Sequence, residues 1–282
     1  IKIQEEIINK LLLFVDAKAD ELFAYFEFTE ARTEDFASDG LIRDLTEAFL
    51  SNHSPEALDQ LQNHLILNKK PLDPTLLVTS ILDLDGRVLA STDPLYLGQN
   101  HRNTDYFQAG LKEVFIREIH EETSGKDAFL VATPLVSRAD HIPLGILINI
   151  FDAQNLISLF SGQLGFDPKG QFLLGGSSLQ TLEVYIVNKQ QEMFVHPLRS
   201  RNKISRNEHE TRMKVSTLPV SRCLDSKQAV GGEIYSNYIG QEVMGVSVCF
   251  PEKNWVILSE ITVDEAFAPL MALTLRLGLM IA

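Results

Sequence analysis

The binding groups in this sequence concentrate between residues 93 and 117: Tyr96, His101, Arg102, Tyr106 and Arg117. An arginine can grip a carboxylate through two parallel hydrogen bonds, and a tyrosine offers an apolar wall ending in one hydroxyl. That chemistry suits capture of a small anionic or polar molecule rather than its turnover. Each residue also has a plainer reading. His101 and Arg102 can be solvated loop residues, and Tyr106 with Phe107 can be core aromatics. Arg117 shares one face of a strand-like run with Phe115 and Ile119, so a charge lies in an apolar row. Either that row faces a pocket or it faces solvent.

Catalytic patterns are missing. The sequence has no G-x-S-x-G elbow, no G-x-x-x-x-G-K-[ST] and no H-E-x-x-H. Gly175-Gly-Ser-Ser178 lacks the strand and helix that would make it a phosphate cradle. Asp83 and Asp85 are paired carboxylates, but a turn explains them without acid–base work. The histidines are scattered, and His120-Glu121-Glu122 reads as a solvated strand end rather than a metal site. We expect no enzyme, no metal and no cofactor. Cys223 and Cys249 are either two buried thiols or one bridge in an oxidising compartment.

The elements that must carry these residues follow from length and periodicity. At 282 residues the chain is too long for one small core and points to about two domains. A net charge of −13 repels phosphate backbones and anionic headgroups, which argues against nucleic-acid binding. Residues 1–31 repeat Ile3, Ile7, Leu11, Phe14, Leu22 and Phe26 at helical spacing, without Pro or Gly. Leu41–Leu50 forms a second helix. Ser54-Pro55 starts a third, which runs to about Asn68.

From Leu76 the period changes to that of strands. Leu76–Asp83 turns at Asp85-Gly86 into Arg87–Ser91. A short helix follows over Thr104–Lys112, and then come strands Val114–Glu121, Asp127–Val136 and Leu144–Phe151. Asp152 caps a helix running to about Phe160. A second set repeats this order: Glu183–Asn188, Glu192–Pro197, Val230–Tyr238, Glu242–Phe250 and Trp255–Ile261, with Asp264 opening a last helix.

These runs resemble the double-Cache sensor family. Leu82-Asp-Leu-Asp-Gly-Arg-Val-Leu-Ala-Ser91 resembles its central hairpin, and Gly98 with Asp105-Tyr-Phe-Gln-Ala109 its lid. Ala132-Thr-Pro134 with Gly145-Ile-Leu is similar to its closing strand pair. In the second half the similar segments are Glu183-Val-Tyr-Ile-Val-Asn188 and the run from Tyr235-x-x-Tyr-x-Gly240 through Pro251 and Trp255 to Glu260-Ile261.

The resemblance implies an α+β fold: a long N-terminal helix and two tandem PAS-like antiparallel-sheet modules. It divides the chain into helices over 1–75, a membrane-distal module over 76–162, a membrane-proximal module over 163–267 and the start of a transmembrane helix over 268–282. Pro269–Ala282, apolar except for Arg276, reads as part of such a span, with another expected upstream of a chain that opens without a signal peptide.

The implied function is a non-enzymatic extracytoplasmic sensor at the inner membrane, dimeric in the intact receptor, with a sensor histidine kinase as the first expectation. A chemoreceptor, a diguanylate cyclase and a periplasmic solute-binding protein are the alternatives. The expected ligand is an organic acid or similar metabolite under the lid Asp93–Tyr106. The amino-acid-binding subset of the family carries an Arg, a Trp and a Tyr in the lid helix and an Asp on the closing strand. Here Asn103, Asp105 and Ile150 stand near the Arg, Trp and Asp positions, which argues against a standard α-amino acid.

Overall fold

The computed structural model describes residues 2–121, 127–161, 172–174, 177–179, 181–195 and 213–268. The apolar segment 269–282, the stretch between the modules over 162–171 and the polar run 199–212 lie outside the described residues. The chain divides into two compact units, Ala24–Asn155 and Ile1–Phe23 with Leu156–Ala282.

Helix α1 spans Lys2–Ser38 and so contributes to both units. It runs past residue 31 because no Gly or Pro stops it before Gly40, and Thr29 and Thr33 turn their hydroxyls back onto the carbonyls of Phe26 and Thr29. The expected stripe is largely buried: Leu11, Phe14, Leu22 and Phe26 are at most 9% exposed, while Ile7 is half-buried.

In the Ala24–Asn155 unit, Asp39 breaks the chain between α1 and α2 (Gly40–Asn52), its carboxylate accepting from the N–H groups of Leu41 and Ile42. Burial opposes that charge. Lys69, 2.7 Å away, His64 and the Leu41 N–H outweigh the burial and hold its pKa down at about 2. Helix α3 (Pro55–His64) starts as expected, with Ser54 as cap and Pro at its first turn, and a π-helical turn continues it to Lys69.

Five antiparallel strands follow: β1 (Leu76–Asp83), β2 (Val88–Ser91), β3 (Phe115–Glu121), β4 (Asp127–Val136) and β5 (Pro143–Asp152), in spatial order β2-β1-β5-β4-β3. One face packs on α1. There Phe129 meets Phe26 edge-on, and Asn149 bridges Thr33 and Thr79 by hydrogen bonds of 3.1 and 2.8 Å. The other face carries Val78, Leu82, Leu130, Ala132, Ile146, Ile148 and Ile150 against helix α4 (Asp105–Gly110). With both faces covered, the strands read as nearly continuous apolar runs rather than alternating ones. Helix α5 (Gln154–Ser161) begins where Asp152 accepts from Gln154 N–H.

The second unit repeats the topology. After a small hairpin of β6 (Phe172–Leu174) and β7 (Ser177–Leu179) come β8 (Glu183–Val187), β9 (Met193–Val195), β10 (Gly231–Ser236), β11 (Glu242–Phe250) and β12 (Trp255–Thr262). Their spatial order, β9-β8-β12-β11-β10, matches that of the first sheet strand for strand.

Helix α6 (Leu218–Ser226) covers the inner face of this sheet. Its nine residues are too few for period alone to mark a helix, although Thr217-Leu218-Pro219 has the cap-and-proline form of a helix start. Cys223 on α6 and Cys249 on β11 form a disulfide with Cα atoms 5.3 Å apart, which settles the choice the sequence left open. Among the described residues no helix is long and apolar enough to cross a membrane.

Candidate functional site

The lid of the first sheet is seated by its central hairpin. Gly86, at φ +78°, turns the chain tightly, and a Cβ there would lie 2.5 Å from the backbone nitrogen of Arg102. Gly86 O in turn accepts from His101 N–H at 2.8 Å, while Val88 bonds to Gln99 and Gly98 to Val88. The loop therefore lies alongside the hairpin rather than away from it. Thr104 caps α4 through its hydroxyl and so fixes where Tyr106 and Phe107 enter the core.

This arrangement brings four of the five expected residues together. Tyr106 is 3% exposed, and its hydroxyl lies 2.6 Å from His101 Nδ1. The Tyr96 ring stacks on His101 with centroids 6.5 Å apart. The Arg117 guanidinium sits over the Tyr106 ring, 5.6 Å from its centroid, a cation–π contact that leaves its N–H groups directed in the guanidinium plane. Below them lies the apolar floor of Leu82, Val88, Ala132, Ile146 and Ile148.

Arg102 is placed apart from the four. Its side chain is 63% exposed and pairs with Asp85 at 3.1 Å, where it ties the lid loop to the hairpin turn. An ion pair this exposed contributes little stability. The group of four offers a cation, two phenols and an imidazole above an apolar surface. That combination can bind a small anion or a polar molecule with an apolar part.

The second sheet holds a polar cluster whose members lie in the family-like segments Glu183–Asn188 and Tyr235–Ile261, although no site role follows from those segments alone. Glu260 of β12 is 1% exposed and accepts hydrogen bonds from the hydroxyls of Tyr185 and Tyr235, both at 2.6 Å on Oε1. Burial pushes its pKa up to about 7. The two phenols and, weakly, the Asn237 side chain oppose the rise, and Glu183 adds to it. The same burial, next to that carboxylate, raises the hydroxyls of Tyr185 and Tyr235 well above the ordinary phenol range.

Tyr235 reaches Glu260 by lying across β11 at Gly245, where a Cβ would stand 2.1 Å from its hydroxyl. Tyr238 donates to Glu183 Oε2 at 2.8 Å and meets the Tyr185 ring edge-on. The available signal was Glu260 itself, a charge on the same strand face as Leu258 in the apolar run Trp255–Thr262. Among the described residues no group of three or more His, Cys, Asp or Glu is placed to hold a metal ion.

Similarity to known proteins follows the same architecture. The ligand-binding domain of the Pseudomonas aeruginosa PAO1 amino acid chemoreceptor PctB, solved with L-Arg, superposes with a TM-score of 0.58 at 15% identity, covering 94% of this chain and 98% of that one. The sensor domain of the Vibrio cholerae histidine kinase DctB gives a TM-score of 0.60 at 13% identity, covering 91% and 97%. The ligand-binding domain of the Campylobacter jejuni chemoreceptor Tlp3, solved with L-norvaline, gives 0.62 at 11% identity, covering 94% of each chain. At these identities the likeness is one of fold. No curated protein matches the sequence. The double-Cache profile, described as a Cache domain, matches residues 2–270. With two sheets of one topology behind a long N-terminal helix, and that match over nearly the whole chain, the protein belongs to the Cache domain family as a double-Cache sensor module.

Proposed function

We propose that this chain is the extracytoplasmic sensor region of an inner-membrane receptor, dimeric in its full-length form, that takes a small anionic or polar metabolite in the first-sheet module. The observation carrying this reading is the joining of Arg117, Tyr106, His101 and Tyr96 above an apolar floor. A carboxylate leaves water at low cost only where a donor such as Arg117 pairs with it. Arg102, held by Asp85, acts at the rim by keeping the lid loop on the hairpin.

The ligand carries no α-ammonium group. Near the position where an amine-binding acid would stand lies Ile150, between Val78 and Leu130 in the sheet. A sensor histidine kinase is the receptor type we favour. A chemoreceptor is the second reading, supported by the fold shared with the PctB and Tlp3 ligand-binding domains.

A metabolite library screened by thermal shift tests the assignment. A ligand at a hundred times its Kd stabilises the fold by about 2.7 kcal/mol. Carboxylates should dominate the hits, Arg117→Ala and Tyr106→Phe should abolish the shift, and Arg102→Ala should weaken it only slightly. Hits that survive both of the first two variants would place the ligand elsewhere.

A further inference from the structure

The buried carboxylate of the second sheet has no part in that ligand site, and its surroundings suit a different ligand. Glu260 and Glu183 are direct cross-strand partners on β12 and β8. Like charges set opposite one another in a sheet repel, and burial of one of them sharpens the repulsion. The hydrogen-bond donors to Glu260 are two phenols on Oε1 rather than cations; Oε2 accepts no well-formed hydrogen bond from the described residues, and the Asn237 side chain gives the carboxylate only weak support. A buried carboxylate with one oxygen unserved is costly in its charged form and far less so once protonated.

The neighbouring charges are already engaged. Glu233 of β10 pairs with Arg222 of α6. Tyr238 donates to Glu183, and Glu265 takes the N–H and hydroxyl of Thr181.

We propose that the Glu183–Glu260 pair is a proton-binding site that makes the second-sheet module responsive to pH. The pKa of Glu260, raised to about 7, sets the range. The folded module holds a proton that the unfolded chain releases at the ordinary carboxyl value of 4.5, so stability falls as pH rises from there through about 7. Losing the proton restores the repulsion across β8 and β12. The effect reaches the start of the last helix, because β12 runs directly into the helical turn at 263–268, and Thr181, just ahead of β8, bonds both Thr262 and Glu265.

The test is a pH titration of protein carrying ¹³C at the glutamate carboxyl carbon. One resonance should titrate with a midpoint of about 7, vanish in E260Q and move to lower pH in E183Q, where the opposing charge is gone. The melting temperature of the unmodified protein should fall across the same range, and E260Q should flatten that profile. The proposal is overturned if every glutamate carboxyl titrates near the ordinary value of about 4.3, or if E183Q leaves the elevated midpoint where it was. The wild-type and E183Q titrations decide the matter whether or not E260Q folds.

Discussion

Ile150 and Glu260 occupy the same place in two copies of one topology. Each stands two residues before the end of the last strand of its sheet, with a helix following. Ile150 lies between Val78 and Leu130, and Glu260 between Glu183 and Gly245. Both are 1% exposed. The first row runs Arg117, Leu130, Ile150 and Val78, so it is apolar except at its β3 end, where Arg117 lies over the ring of Tyr106. The second row is polar inside the sheet and is served on one carboxylate oxygen by tyrosines reaching in from β8 and β10. Identical strand order thus leaves the chemistry of the inner face open. What decides it is whether neighbouring positions supply hydroxyls, and whether a glycine such as Gly245 leaves room for them to arrive.

Exchanging the rows breaks this comparison most severely. Ile150→Glu would bury a carboxyl in the cluster of Val78, Leu130 and Ile148, where the Tyr106 hydroxyl is already engaged by His101, and should cost on the order of 4 kcal/mol in urea unfolding. A loss below about 1 kcal/mol would mean that the first sheet tolerates a charge as readily as the second.

The disulfide, which only the second module has, comes next. Cys223 and Cys249 are 26 residues apart, and a loop of that length stabilises by ~3 kcal/mol in the chain-entropy model. Cys223→Ala with Cys249→Ala should lower the melting of the second module and leave ligand-induced shifts in the first unchanged. The smallest effect is Tyr235→Phe, which removes one of the two donors to Glu260. It should cost about 1 kcal/mol and raise the Glu260 carboxyl midpoint further, since a bond that favours the charged form is lost. A midpoint that moved down instead would contradict the role given to the phenol.

Much of the fold was legible in the residues. The Asp85-Gly86 hairpin, the Ser54-Pro55 helix start and the strand runs of both modules are local signals, set by turn chemistry and side-chain period. Helix α6 is not legible by period because it is short and lies beside a polar stretch, and Thr217 with Pro219 is its one local mark.

The candidate site residues are legible in type and less so in partnership. Tyr96, His101, Tyr106 and Arg117 stood out as binding groups, but nothing in the sequence separates an Arg117 lying over a ring from an Arg102 tied to Asp85. The sequence by itself determined the elements, their repetition and the supply of chemical groups, since propensity and periodicity act between near neighbours. Tertiary structure alone decided which groups meet. The Glu260 carboxyl and the Tyr185 hydroxyl are 75 residues apart in the chain yet 2.6 Å apart in the protein, because strand register, a long-range property, sets the contact.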